Sequence, residues 1–411
     1  MVSRSTVLVL AAALVGACSS ASDSADPAAT PSAGASSAGS GGTGASPPAV
    51  GGSAGAGGSS SSASAGSAVA TAGTGGSSSN AGAPSGGAVN VGGNGGGTGG
   101  GSNGGGLGGS AAAGAPQTFP VDPPVPDKAS KVPVSKPSGA YTVEANFAYG
   151  PEPSQRLDVI YPNGAGPKGT QRLPVVLMFH GGAWIHSYTN GYGSGKDHMT
   201  TFFNRYLAHG FMVCNAEYRV NDSPPVDGAP APAAVEDALL AAKWCWDYLD
   251  YYHGDRERFV VTGASAGGHL ALMVGLTTPA AKLGPTTPTD FKIAAIVSGY
   301  GPADIESEIN AVAKGWIPTN LPNRAAIAKL VNPITYVRAD APPLIVVQGA
   351  NDTTAPVADS RRLVDRLVAA GADASMHEVP GAGHGFQTPS TAWPDAEKAM
   401  FDWLVARGIG K

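Results

Sequence analysis

The run Pro174-Val-Val-Leu-Met-Phe-His180 is apolar at every position before its histidine, as a strand covered on both faces requires. Runs of the same kind recur at Phe211–Ala216, Arg258–Thr262, Ile293–Val297 and Leu344–Val347, with a shorter one at Met376–Val379. Tyr141–Tyr149 and Arg156–Tyr161 read as two earlier strands. Between and after these runs lie helix-like segments: Lys196–His209, Ala233–Tyr252, Gly267–Leu276, Val357–Ala370 and Pro394–Ala406. In the second, Val235, Leu239, Ala242 and Trp246 fall on one side at helical spacing. Strand and helix in turn imply right-handed crossovers, hence an α/β fold with a mostly parallel sheet and helices on both faces. Ligands in such sheets bind at the carboxyl ends of the strands.

Composition limits this fold to one part of the chain. Of 60 glycines, 32 fall in residues 1–137, together with only 8 of the 55 charged side chains. That stretch cannot bury enough apolar surface to offset the entropy of ordering it. Residues 138–411 carry the other 47 charges and all eight histidines, and 274 residues suffice for one sizeable core. The net charge of −5 and the lack of a Lys/Arg cluster argue against nucleic acid as a partner. Three cysteines make no disulfide framework, and no Cys/His grouping suggests a metal.

The first residues read as an export signal. Arg4 precedes the apolar run Val7–Val15, which is too short to span a bilayer comfortably. The run ends in Val15-Gly16-Ala17-Cys18, which resembles the lipobox of bacterial lipoproteins. The resemblance implies a signal peptide over residues 1–17, cleavage before Cys18 and lipid on that cysteine, holding the protein on a membrane without a spanning helix. Ser19 and Ser20, where an Asp is absent, hint at the outer membrane or cell surface. Residues 18–137 then read as a Gly/Ser/Pro-rich tether. About 110 such residues would have an r.m.s. span of roughly 60 Å.

Three motifs sit just past predicted strands. Gly263-Ala264-Ser265-Ala266-Gly267 follows Arg258–Thr262 directly and opens a helix, the strand–turn–helix setting in which G-x-S-x-G exposes a nucleophilic serine. His180-Gly181-Gly182-Ala183-Trp184 ends another strand, and its glycines allow backbone to approach a substrate oxygen. The N–H groups of Gly182, Ala183 and Ala266 would form an oxyanion hole. His180 itself is expected to orient that loop. Asp352 follows Leu344–Val347 and can hold an imidazole, or cap the next helix as an Asx turn. Asp304 is its best rival. His384 lies in the flexible loop Gly381–Phe386 and can reach across several strands, whereas His269 faces away from the hole or into packing and His377 lies within a strand.

These runs, with Tyr300-Gly-Pro-Ala-Asp304 and Asn351-Asp-Thr-Thr-Ala-Pro356, resemble α/β-hydrolase esterases of the hormone-sensitive-lipase and carbohydrate-esterase-like group. The likeness is greatest to bacterial feruloyl and acetyl-xylan esterases and acetylesterases, and it covers residues 138–411. It implies an α/β-hydrolase catalytic domain there. It also implies a Ser265, Asp352, His384 triad, an acyl-enzyme route and no cofactor or metal. The expected substrates are short or aromatic acyl esters, free or on plant polysaccharides. Two positions depart from the pattern: Ala264 stands where many relatives have Asp, and Ala183 where many have a third glycine. The H-G-G-x-W loop also occurs in arylformamidases, so an amidase with the same triad is an alternative. A non-catalytic binding module is another, although such modules usually lose the nucleophile, histidine or acid, and all three are present. Residues 185–197 and 304–340, with Tyr188 and Trp316, are candidate substrate walls, and Trp184, Tyr188 and Trp316 serve equally well as core cover. Glu217-Tyr218-Arg219 reads as a structural ion-pair and turn element. Cys214 and Cys245 are expected as buried free thiols, although export would permit a bond between them.

Overall fold

The structure is a computed structural model that describes residues 122–186, 195–222 and 228–411. The signal peptide, Cys18, the greater part of the tether and the loop at 187–194 with Tyr188 lie outside the described residues. Eight strands form one sheet: β1 (Tyr141–Ala148), β2 (Arg156–Pro162), β3 (Leu173–Phe179), β4 (Met212–Ala216), β5 (Gly254–Ala264), β6 (Ala295–Gly299), β7 (Leu344–Gly349) and β8 (Ala374–Val379). Their order is β1-β2-β4-β3-β5-β6-β7-β8. The β1–β2 and β2–β4 pairs are antiparallel, and every pair from β4 through β3 to β8 is parallel. This is the mostly parallel α/β sheet that the alternation of runs implied, in the α/β-hydrolase arrangement that the resemblance implied.

Helices cover both faces, because successive side chains of a strand point to opposite sides. Val175, Leu177 and Phe179 of β3 pack with α2 (Ala233–Tyr248), α3 (Ala266–Leu276) and α6 (Val357–Ala370). Val176 and Met178 pack on the other face, with α1 (Thr200–Ala208) and α7 (Ala392–Val405). All seven β3 residues are buried, which explains the absence of polar alternation in that run. Between β6 and β7 the chain makes two short helices, α4 (Ile305–Glu308) and α5 (Arg324–Leu330), with 3-10 turns at Val312–Lys314 and Pro333–Tyr336.

Some boundaries differ from those expected. The segment from Lys196 opens as a 3-10 turn, Lys196–Met199, before α1 begins. The helix expected to reach Tyr252 stops at Tyr248. The tether boundary at residue 137 falls inside the packed body. Arg156 Nη2 pairs with Asp127 at 2.9 Å, Ser135 N donates to Asp158 Oδ2 at 2.8 Å, and Asn146 Nδ2 donates to Val132 O at 2.9 Å. Val132 and Ser135 are buried. The segment has no periodic apolar face, so composition hides it. It is held by hydrogen bonds to the buried Asp158 and its surroundings. Among the described residues, no helix is long and apolar enough to cross a membrane.

Candidate active site

Ser265 sits between the end of β5 and the first residue of α3. Its backbone has φ +55° and ψ −120°, in the region that non-glycine residues avoid and that marks functional turns. Two glycines make this turn possible. A Cβ on Gly263 would lie 2.4 Å from the carbonyl of Gly267, and one on Gly267 would lie 2.1 Å from Phe179 O. Both obstacles are backbone, so neither can yield. Ser265 N donates to Gly299 O at 2.9 Å, tying the turn to β6. The side chain is largely sheltered, with the residue 4% exposed.

Asp352 lies in the turn between β7 and α6. Its Oδ1 accepts from Thr354 N at 2.9 Å and Ala355 N at 3.0 Å, so it does cap the turn before α6. Its Oδ2 lies 2.8 Å from His384 Nδ1 and 3.3 Å from Gln348 Nε2, which donates to it. The cap and the imidazole partner are thus the same side chain, with one oxygen given to each task. His384 follows β8. Its loop crosses closely over the end of β7, where a Cβ on Gly349 would lie 2.3 Å from Ala382 O. The imidazole packs edge-on against Tyr300, 4.9 Å between centroids. His384 Nε2 is 2.9 Å from Ser265 Oγ. A carboxylate only accepts, so Nδ1 carries the hydrogen and Nε2 is left to accept from the serine hydroxyl.

The loop after β3 turns sharply the other way. Gly182, Ala183 and Trp184 have φ of +106°, +53° and +57°. This left-handed turn is closed by Ile185 N and His186 N, which both donate to Gly182 O, at 3.1 and 3.0 Å. The amides of Gly182, Ala183 and Ala266 donate to no backbone carbonyl among the described residues. Ala266 opens α3, so its N–H has no partner within that helix. Tyr218 clamps the loop from below, its hydroxyl donating to His180 O at 2.8 Å and reaching Gly181 O at 3.2 Å. His180 stacks on the Tyr218 ring, 4.1 Å between centroids, and its Nε2 is 3.1 Å from Glu217 Oε1. Beyond Glu217 lies Lys196, whose ammonium is wholly buried and paired with Asp158. Burial pulls the Lys196 ammonium below its usual range, opposed by Asp158, Glu217 and Asp197.

The family described as BD-FAE has a model that matches residues 157–367, just over half of the chain and most of the sheet. The chain belongs to the BD-FAE family. It is also similar to Esterase LipC of Mycobacterium tuberculosis (strain ATCC 25618 / H37Rv), 29% identical over 66% of this chain and 67% of that protein. The probable carboxylic ester hydrolase LipM of the same organism is 30% identical over 54% of this chain, and the match spans about half of LipM, 52%. Among solved structures, a truncated carbohydrate esterase from gut microbiota covers 69% of this chain and 99% of its own, with TM-score 0.54 and 22% identity. The propionate-bound esterase Est2 of Thermogutta terrifontis covers 66% and 96%, with TM-score 0.54 and 20% identity. At those identities the structural likeness is one of fold. Family and relatives together put the chain among the α/β-hydrolase esterases, a class of carboxylic ester hydrolases.

Within this BD-FAE fold the other candidates are occupied elsewhere. Asp304 accepts from Arg362 Nη2 at 2.7 Å and Asn332 Nδ2 at 2.9 Å. Burial would raise its pKa, but those bonds outweigh it and hold the carboxyl below the usual range. His269 is fully buried between Trp184 and Trp316, with Nε2 2.8 Å from Val331 O, and burial pushes its pKa down to about 4. Trp184 and Trp316 stack on each other, 4.5 Å between centroids, and both are fully buried, so they are core and not substrate wall. His377 pairs with Asp395 at 2.8 Å. Arg219 pairs with Asp237, as a structural element should. Cys214 and Cys245 are buried free thiols, and burial, then Cys214, pushes the Cys245 thiol up. Tyr218, Gln348 and Tyr300 were not singled out from sequence as supports of the site. Tyr218, inside Glu217–Arg219, and Tyr300, inside Tyr300–Asp304, lie in runs with a readable signal, and Gln348 does not. No group of three or more His, Cys, Asp or Glu among the described residues could hold a metal ion.

Proposed function

We propose that this BD-FAE chain is a serine esterase in which Ser265 is the nucleophile, His384 the general base and acid, and Asp352 the group that orients the imidazole. The observation that supports this most is the double contact of His384, 2.8 Å to the carboxylate on one nitrogen and 2.9 Å to the hydroxyl on the other. Ser265 Oγ attacks the ester carbonyl carbon while Nε2 takes its proton. The carbonyl oxygen becomes an oxyanion, which the amides of Gly182, Ala183 and Ala266 receive. The imidazolium is stabilised by Asp352 and then protonates the departing alkoxide, leaving an acyl-serine. Water repeats the cycle and releases the acid. No cofactor enters these steps.

The substrates proposed are small or carbohydrate-linked esters of short or aromatic acids. Initial rates on p-nitrophenyl acetate, methyl ferulate, acetylated xylan and N-formylkynurenine test this. The three esters should be cleaved and the formamide spared. Preference for N-formylkynurenine would make the chain an amidase with the same machinery, and no turnover of any of them would reject the reading. We propose further that lipid on Cys18 anchors the protein to a bacterial membrane, with the low-complexity segment as spacer. Labelled fatty acid should enter the wild type and not Cys18→Ser, and equal labelling of both would reject the anchor.

A further inference from the structure

Outside the proposed triad, the densest group of buried titratable side chains lies under the loop that follows β3. Asp158, Lys196, Glu217 and His180 are each at most 1% exposed and come from β2, the turn before α1, the end of β4 and the end of β3. His180 Nδ1 is 2.6 Å from Gly181 O, and a carbonyl only accepts, so Nδ1 bears a hydrogen. The other nitrogen faces Glu217 Oε1 at 3.1 Å. Two bare lone pairs at that separation would repel, so the pair needs a further proton. Charge counting asks for the same proton. Asp158 pairs with Lys196, and Glu217 Oε2 accepts only from the neutral amide Lys196 N, at 2.9 Å. Two carboxylates against one ammonium leave one negative charge, which is costly without water. Asp197 adds no cation, and His198 beside it is partly exposed.

We propose that His180 and Glu217 form an imidazolium–carboxylate pair, and that the imidazolium charge behind the Gly182 and Ala183 amides favours the oxyanion. His180 is thereby a positioning and electrostatic residue that never touches substrate. The proposal rests on the esterase reading above. The balance explains why a lysine and an aspartate are buried in the same group: with their charges cancelled, the Glu217–His180 pair is neutral as a unit. A fixed cation set before the reaction needs no reorganisation when the oxyanion forms.

Glu217→Gln separates charge from shape. The amide can still meet Nε2, the imidazole becomes neutral, and Lys196 with Asp158 remains balanced, so the fold should persist. With p-nitrophenyl acetate, kcat should fall about tenfold with KM unchanged, less than the loss from removing a direct oxyanion donor. Imidazole 15N NMR of the full chain at pH 8, with the His180 signals identified by their absence in His180→Asn, should show two protonated nitrogens. In Glu217→Gln it should show one. A singly protonated His180 in the wild type, or an unchanged kcat in Glu217→Gln, overturns the proposal. The NMR arm uses no substrate. Failure of the wild type to cleave any ester therefore rejects the esterase reading, and a singly protonated His180 in an active enzyme rejects only the charge assignment.

Discussion

Two imidazole–carboxylate pairs flank the Ser265 turn, and they differ in what the second nitrogen meets. At the β7–β8 side, His384 offers Nδ1 to Asp352 and turns Nε2 to the Ser265 hydroxyl. At the β3–β4 side, His180 offers Nδ1 to a backbone carbonyl and sets Nε2 at an ion-pair distance, 3.1 Å, from Glu217. A hydroxyl can give up its proton, so the first ring is free to gain and lose one. A carbonyl can only accept, so the second ring is held protonated at that position throughout. The settings follow suit. Asp352 is steadied by the backbone amides of Thr354 and Ala355, whereas Glu217 is fully buried and accepts from the backbone of Lys196, whose ammonium pairs with Asp158. The same residue types would then serve proton transfer under the proposed mechanism in one place and a fixed framework in the other.

The harshest test of that division is removal of the hydroxyl. Ser265→Ala should lower kcat on p-nitrophenyl acetate by on the order of 10⁴–10⁶-fold, since members of such a unit fail together. Its thermal unfolding should match the wild type. Substantial residual turnover would move the nucleophile elsewhere. The carboxylate comes next. Asp352→Asn should cost on the order of 10³–10⁴-fold in kcat, because an amide can donate to Nδ1 and turn the imidazole to the wrong tautomer. Asp304→Asn should cost less than about tenfold in rate, and should cost stability through its bond to Arg362 instead. If the two variants exchanged effects in a steady-state assay, Asp304 would take the acid role.

How much of this was readable without coordinates follows the range of the interactions. Ser265, Asp352 and His384 each stand just past a buried run beside glycines, so local pattern pointed to them. The mostly parallel sheet likewise follows from the alternation of runs and helices, whereas the strand order β1-β2-β4-β3-β5-β6-β7-β8 comes from the structure. The framework cluster joins residues that are far apart in sequence, and although His180 and Glu217 lie in readable runs, nothing local pairs them with each other or with Asp158 and Lys196. Lys196 looks like a surface charge in the chain, and only the packing of β2, β3 and β4 buries it against Asp158 and Glu217. Ser135 and Val132 escaped for the same reason, since their partners Asp158 and Asn146 lie in later strands. Trp184 and Trp316 meet across more than a hundred residues, which no local period reports.

The framework cluster can be broken from its other end. Lys196→Met removes the cation that faces Asp158 and leaves two carboxylates against His180. Breaking a buried pair from one side typically costs about 3–5 kcal/mol. Urea unfolding should show a loss of that order, whereas Lys398→Met, at an exposed pair with Asp402, should change stability by less than about 1 kcal/mol. Equal, small losses in both variants would mean that Lys196 is not held as a buried ion.

A third buried carboxylate sharpens the comparison because it has neither kind of partner. Glu308, in α4, is 2% exposed, and neither of its oxygens has a hydrogen-bond partner among the described residues. Burial, with Asp359, Asp352 and Asp304 adding to it and Arg362 opposing, pushes its pKa up from 4.5 to about 9. The folded protein therefore keeps this proton where the unfolded chain releases it. Stability from this group is complete below about pH 4.5 and declines as pH rises toward about 9. Glu308→Gln has no proton to lose, so its stability lacks that slope. Unfolding free energies of wild type and variant should converge near pH 4.5 and diverge with rising pH, the variant gaining about 3 kcal/mol at pH 7. Parallel curves would mean that Glu308 is ionised in the fold. The absence of an imidazole partner would then no longer set Glu308 apart from Asp352 and Glu217.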